Sequence, residues 1–295
     1  MRISSFLPVT NSILRGDTFI EAIKSHLYFS DELVVVDGGS TDGTVEAIEK
    51  LNDERIRIIT LPWPQEYWVW SEFARHWNFG YEACTGDWVA QGESDHIFHE
   101  NDAEKIITQL EEAQNKRVAV MHVNKLQSSL VSKWGSKSRM PYFINKKEYG
   151  DKIGYGLDRN TPTDLAWPIW VNKRSENLVY EGKVLVDSEM QELSVNMLNY
   201  LWTFKTYEMI LTERKKACYA WNAFEPFVVD HKKLLPTKNT DIDKMLRIEM
   251  LGKHRRNTIT KSLSEHPKIM QDKIQGKLKP GMLGFDLCNL LNAIQ

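Results

Sequence analysis

Residues 32–37, Glu-Leu-Val-Val-Val-Asp, run directly into Gly38-Gly39-Ser40-Thr41-Asp42-Gly43-Thr44, and this junction narrows the folds open to the chain more than any other. A continuous Leu-Val-Val-Val run buries both faces of a strand, as in a parallel sheet covered by helices, and not the single face of a half-exposed antiparallel strand. The glycine- and hydroxyl-rich turn then opens a helix from Val45 to Leu51. The same alternation surrounds it: a first strand over Arg2–Leu7, a helix from a capping Asp17 to about Tyr28, and a third strand at 56–61. An aromatic loop at 63–70 follows, then a helix capped by Ser71 and reaching Cys84, and a fourth strand within GDWVAQGESD at 86–95. Asn101 caps another helix, and RVAVMHV at 117–123 returns as a strand. The expected fold is therefore α/β, a mostly parallel nucleotide-binding sheet flanked by helices.

Beyond about Leu126 the pattern changes to aromatic-rich, weakly periodic segments, and helices are expected around 190–222, 241–255, 258–274 and 282–293. We divide the chain into a donor-binding half at 1–125, an acceptor-binding and catalytic half at 126–225, and a basic helical extension at 226–295. With 295 residues, 42% hydrophobic and 26% charged, the composition is that of a folded globular protein and excludes a disordered chain. Three cysteines without CxxC spacing argue against a disulfide framework or a zinc module. The N-terminus reads as a strand, no apolar window reaches the roughly twenty residues of a membrane span, and a cytoplasmic protein is expected. The net charge of -2 hides a basic region holding Lys232, Lys233, Arg247, Arg255, Arg256 and Lys261. We read it first as a solvated helix face; it also suits peripheral membrane contact or an anionic acceptor, with nucleic acid disfavoured.

In open parallel sheets, ligands bind beyond the carboxyl ends of the strands. Two acidic groups fall there. Asp37 can accept a hydrogen bond from a nucleobase imide or from ribose, while Gly39 allows close backbone approach and Ser40 adds a hydroxyl. Glu93 and Asp95 flank Ser94, and side chains two apart on an extended segment share a face, so they could grip one hard cation, Mn²⁺ or Mg²⁺, with room left for a diphosphate. His96 and His99 stand close enough to add a ligand. There is no GxGxxG after the first strand and no GxxxxGK[ST] loop, which argues against dinucleotide and P-loop chemistry.

Taken in order, VVVDGGSTDGT, then Arg75 and Asn78 on a helix, then GDWVAQGESD about fifty residues after the first motif, resemble the donor half of glycosyltransferase family 2, a GT-A fold. The flavour is that of bacterial lipopolysaccharide-core and capsule glucosyltransferases. The resemblance covers about the first 125 residues. It implies a metal-dependent, inverting transfer of a sugar from a nucleotide diphosphate donor, UDP favoured, to a carbohydrate or other anionic acceptor. It places Pro8, Thr10, Asp37, Gly39, Ser40, Arg75 and Ser94 on the nucleotide, Arg75 at the diphosphate, and Glu93 and Asp95 on the metal. Two departures stand out: Glu-x-Asp replaces the usual Asp-x-Asp, and Pro8-Val9-Thr10-Asn11 lacks the tyrosine of the family's opening segment.

An inverting transfer also needs an acceptor-side carboxylate as base. Asp187, after an apolar strand pattern and before an expected helix, is our choice over Asp158, Asp164, Glu181 and Glu189. Trp63, Trp68 and Trp70 offer either core or a platform for a sugar face. Two other classes stay open: a nucleotidyltransferase, which would want a glycine-rich basic loop where residues 8–16 offer only Arg15 and Gly16, and a non-catalytic binding protein on a degenerate GT-A fold.

Overall fold

The computed structural model describes residues 1–63, 70–150 except 126–133, 152–157, 168–173, 180–223, 241–255 and 263–283. In chain order the elements are β1 (Ile3–Val9), α1 (Phe19–His26), β2 (Glu32–Asp37), α2 (Thr44–Glu49), β3 (Ile56–Thr60), α3 (Trp70–Ala83), β4 (Trp88–Gln91), β5 (His96–Ile97), α4 (Ala103–Glu112), β6 (Val118–Lys125), β7 (Trp134–Asn145), α5 (Lys146–Tyr149), β8 (Ile153–Leu157), β9 (Pro168–Lys173), β10 (Tyr180–Val184), β11 (Met190–Asn199), α6 (Tyr207–Ala223), α7 (Ile242–Arg255) and α8 (Lys268–Lys277).

One eight-stranded sheet carries the order β3-β2-β1-β4-β7-β6-β11-β5. β1 runs parallel to β2 and β4, β2 to β3, and β11 to β6, while β7 and β5 run against their neighbours. β8, β9 and β10 pair separately. The central strands divide their side chains as a two-residue period requires. Phe6, Val34 and Val36 pack with Trp77 and Tyr81 of α3, whereas Leu7, Val9, Leu33 and Val35 pack with Phe19 and Ile23 of α1, Ile48 of α2 and Met270 of α8. Farther along the α1 face Ile106 and Leu110 of α4 meet Met121, Leu193, Val195 and Met197 in a cluster that also holds Ile3 and Ala90.

The first-half elements fall where the sequence places them, within one to three residues at their ends. Four expectations fail: Ser71 lies inside α3, which begins at Trp70, Asn101 gives way to Asp102 at the N-cap of α4, and two more concern Asp17 and residues 190–199. Asp17 does not cap α1; Thr18 holds the N-cap position without a side-chain cap bond, and Asp17 is drawn instead into an ion cluster. Residues 190–199 form β11 and not the start of a helix, because Leu193, Val195 and Met197 alternate with Ser194 and Asn196 and bury one face; the helix begins only at Tyr207. The expected segments at 258–262 and 284–293, with Asp158, Asp164 and Trp68, lie outside the described residues. Among the described residues no helix is long and apolar enough to cross a membrane.

α3 reaches close to the sheet at Gly80, where a Cβ would stand 2.7 Å from Phe6 Cδ2 and 3.0 Å from Val36 Cγ2. Gly80→Ala should therefore lower stability by about 1–2 kcal/mol, the overpacking outweighing the gain in helix propensity; urea unfolding with an unchanged midpoint would place α3 farther from β1 than it stands here.

Candidate active site

Val9 of β1, Asp37 of β2, Gln91 of β4 and Asn199 of β11 end on one edge of the sheet, and the loops beyond them build the site. Most hydroxyls and carboxylates of residues 37–44 hold loops. The Asp37 side chain, 2% exposed, accepts from the backbone N–H groups of Gly39 at 3.1 Å and Ser40 at 3.1 and 3.2 Å. Ser40 Oγ accepts from Asn11 N–H at 2.8 Å, Asn11 Oδ1 from Thr41 N–H at 2.8 Å, and Asp42 from Leu14 N–H at 2.8 Å. The glycine turn is thereby stitched to the loop after β1. Gly39 takes a φ of 83°, and at Gly38 a Cβ would come 2.9 Å from Thr10 and 3.1 Å from Trp63; this crossing needs glycine.

Above that floor lies a cleft of about 600 Å³ including its mouth, walled by Pro8, Thr10, Arg15, Trp63, His76, Glu93 and Ser94 among others. Four of the expected residues, Pro8, Thr10, Glu93 and Ser94, thus meet in one cleft. Asp37, Gly39 and Ser40 shape the adjoining turn without lining it. Arg75 does not line it either; its guanidinium binds Glu72 at 2.8 Å on its own helix. Asn78 exchanges two bonds with the backbone of Tyr155, donating at 2.7 Å and accepting at 2.8 Å, and so fixes α3 to β8. Trp63 packs edge-on against Phe73 and lies 4.8 Å from the His76 ring. His76 contacts the carbonyls of Glu72 and Leu61 at 2.8 and 2.6 Å, and burial lowers its pKa.

Glu93, Asp95 and His96 bring one ligand atom each to within 4.8 Å of one another. A turn achieves this, closed by His96 N–H donating to Glu93 O at 3.1 Å, and not the shared face of an extended strand, since β4 ends at Gln91. His96 Nε2 stands 3.8 Å from both Glu93 Oε1 and Asp95 Oδ1. Asp95 is 4% exposed, yet neither of its carboxylate oxygens has a hydrogen-bond donor. Burial pushes its pKa up to about 7, against the pull of Lys205 and with the repulsion of Asp17 and Glu213. A buried carboxylate without a donor is a costly group that a cation relieves, and two carboxylates with an imidazole suit a divalent metal, so the donor set fits Mn²⁺ or Mg²⁺. His99 stays apart, its Nδ1 accepting from Asn101 N–H at 3.2 Å.

Beside Asp95 lies an ion cluster that no local pattern announces. Lys205, 1% exposed, reaches Asp17 at 2.6 Å and Glu213 of α6 at 2.7 Å. Arg15 Nε lies 3.2 Å from Asp17 and 3.1 Å from Glu213. Thr18 Oγ1 donates to Ser94 O at 3.1 Å and Tyr200 N–H to Asp95 O at 3.0 Å, so the turn of Glu93, Asp95 and His96 is gripped from both halves of the chain.

Asp187 corrects the sequence reading. It is exposed in the turn before β11, whereas the site adjoins the other end of that strand, where Asn199 pairs with His96. The length of β11 puts them about 30 Å apart, too far for a base. Glu189 lies at the same remote end, paired with Arg117. Glu181 lies on β10, in the separately paired strands. Of the basic C-terminal region, Arg247 pairs with Asp243 at 2.6 Å and is spent within its own helix; Lys232, Lys233, Arg256 and Lys261 lie outside the described residues.

Two outcomes test this geometry. Burial resists ionisation of Asp17, but Arg15, Lys205 and Ser94 overcome it and hold the group at about 2, below its ordinary 3.8. Its stabilising contribution is complete above about pH 4 and lost as pH falls toward 2; unfolding free energies of wild type and Asp17→Asn should converge across that window and stay apart above it. Asp95→Asn at pH 8 should raise the metal-free melting temperature by about 3–6 °C, equivalent to about 1–2 kcal/mol, and abolish any Mn²⁺-induced rise; a metal-free decrease would show that Asp95 is satisfied without a cation.

A family model described as Glycosyl transferase family 2 matches residues 4–164. No curated protein matches in sequence. Among solved structures, S. aureus TarS is 14% identical with a TM-score of 0.43, over 95% of this chain and 46% of its own; this chain thus spans less than half the length of that protein. Mannosyltransferase PcManGT from Pyrobaculum calidifontis, in complex with GDP-Man and Mn²⁺, is 12% identical with a TM-score of 0.40, over 99% of this chain and 84% of its own. Glucosyl-3-phosphoglycerate synthase from Mycobacterium tuberculosis, in complex with Mn²⁺, UDP and glucosyl-3-phosphoglycerate, is 20% identical with a TM-score of 0.32, over 50% of this chain and 58% of its own.

Proposed function

We propose, for a chain that belongs to glycosyl transferase family 2, that the cleft at the end of β1 binds a nucleoside diphosphate sugar and that the protein transfers this sugar with inversion. The observation carrying this reading is Asp95, a buried carboxylate without a donor beside Glu93 and His96 in the turn that walls the cleft. Glu93, Asp95 and His96 would hold a divalent cation, Mn²⁺ or Mg²⁺. When bound, that ion neutralises charge building on the departing diphosphate.

The chain's own residues divide the remaining work. Asp37, buried and accepting from the backbone N–H groups of Gly39 and Ser40, holds the turn at the cleft's floor, and Gly39 and Ser40 shape that turn. Pro8, Thr10 and Ser94 line the pocket for the nucleotide. Arg15 takes the diphosphate role in place of Arg75, since Arg15 lines the cleft and Arg75 does not. Its Nε faces Asp17 and Glu213, and a guanidinium carries four further N–H donors. We retain the donor half at 1–125, the acceptor half at 126–225 and the extension at 226–295 as a working division.

Calorimetric titration of UDP and GDP, each beside its nucleoside, tests the reading. A nucleotide should bind with Mn²⁺ present and lose that metal dependence in Asp95→Ala. Arg15→Gln should weaken the diphosphate by about 10-fold or more, the scale of a charged hydrogen bond, and leave the nucleoside unchanged, while Arg75→Gln alters neither. If neither nucleotide binds with or without metal, the donor reading fails.

A further inference from the structure

Residues 263–283 lie outside the segment matched by the family model, yet they converge on the strand end that frames the turn of Glu93, Asp95 and His96. They dock on the first half of the chain at two polar points. Lys268 N–H, at the first residue of α8, donates to the Glu100 carboxylate at 3.2 and 3.3 Å, and Lys273 pairs with Glu21 of α1 at 2.6 Å. Met270 is fully buried in the cluster that holds Leu7, Ile97, Tyr200 and Phe204. Past α8, Leu283 N–H donates to Lys205 O at 3.0 Å, and Met282 bridges Thr206.

One contact of this segment lies deep in the core. His266 is 1% exposed and Tyr200 2%, and His266 Nδ1 stands 2.7 Å from the Tyr200 hydroxyl, within hydrogen-bond distance. The segment itself sets where the imidazole stands: His266 N–H donates to Leu263 O at 3.2 Å, and its carbonyl accepts from the Gln271 side chain at 2.7 Å. Packing alone does not call for such a pair, since a phenylalanine would fill the space of Tyr200 with no buried hydroxyl to satisfy.

The backbone of Tyr200 gives the pair a purpose. Its N–H donates to Asp95 O at 3.0 Å, and the neighbouring Asn199 pairs with His96. Neither oxygen of the Asp95 carboxylate has a hydrogen-bond donor, so the position of that group depends on the backbone that carries it. Tyr200 is tied to that backbone on one side and to His266 on the other. Groups behind a ligand set the geometry a cation meets.

We infer that His266 is a positioning residue for the cation site: by holding the Tyr200 phenol it fixes the residue whose N–H holds the Asp95 carbonyl, and residues 263–283 thereby complete that site from behind. The inference rests on the cation reading above.

Mn²⁺ alone, titrated into the full chain with the free ion counted by electron paramagnetic resonance, tests it beside amide exchange at Tyr200 followed without metal. His266→Ala should raise the Mn²⁺ dissociation constant by about 10-fold, the scale on which groups behind a metal ligand act, and speed exchange of the Tyr200 N–H. His266→Asn, which returns a hydrogen-bonding atom near the place of Nδ1, should recover part of both. Lys273→Ala loosens the same segment at its Glu21 and Phe204 contacts while keeping the His266–Tyr200 pair. It should lower the melting temperature and leave Mn²⁺ affinity and Tyr200 exchange unchanged. Tyr200→Phe removes only the hydroxyl and stands in for His266→Ala should that variant fail to fold. Unchanged Mn²⁺ affinity in the folded variant, or a loss of affinity matched by Lys273→Ala, would overturn the inference. Wild type that binds no Mn²⁺ sinks the cation reading itself, whereas Mn²⁺ binding indifferent to His266 sinks the inference alone.

Discussion

Lys205 is where the two halves of the molecule become one site. Its ammonium lies between Asp17, on the loop after β1, and Glu213, on α6, and Arg15 meets the same two carboxylates from the cleft side. Two cations and two anions neutralise one another out of water, an arrangement that tolerates no partial loss: a buried pair gains little over apolar packing, but removing one member strands the rest at a cost of about 3–5 kcal/mol. What the cluster secures is geometry. It sets the loop against the helix, holds Arg15 at the wall of the cleft, and surrounds the buried Asp95 with charges of both signs.

The first half was legible because its signals are local. The run of valines before Asp37 announces a strand buried on both faces, and the glycines after it announce a turn. The order of that motif and the Glu93–Asp95 motif carried the family. Side-chain partners were less legible. Ser40, expected on the nucleotide, spends its hydroxyl on the Asn11 backbone N–H, and Asp42 and Asn11 likewise accept from backbone N–H groups across the two loops. Arg75 has the right place on a helix and the wrong neighbour, Glu72, three residues away, a pairing readable from spacing alone.

The second half was misread for two different reasons. Residues 190–199 carry a strand's alternation, but their mixture of Met, Gln, Glu, Leu and Asn has ordinary helix propensity, and tertiary pairing with β6 decides the outcome. Asp187 was placed in the crevice because a strand end and a helix start were expected around it; with β11 in place of the helix, the residue falls at the wrong end of a strand. The Arg15–Asp17–Lys205–Glu213 cluster spans nearly two hundred residues of sequence, and no local pattern marks it. Lys205 follows Trp202-Thr203-Phe204, a setting that gives no hint of its two carboxylate partners.

The position of β11 in the sheet also bears on how the protein comes into being. β5, which carries His96, pairs with β11 at the sheet's end, and the Asp95 carbonyl is bound by Tyr200. On a ribosome the turn of Glu93, Asp95 and His96 emerges about a hundred residues before the strand that frames it, and the loop after β1 waits longer still for its lysine. Every motif by which the family is recognised is thus synthesised early, yet none is assembled into a working edge until the chain has passed residue 213. The family signature is complete in sequence about a hundred residues before the strand that frames it, and contacts closed over such a separation form slowly.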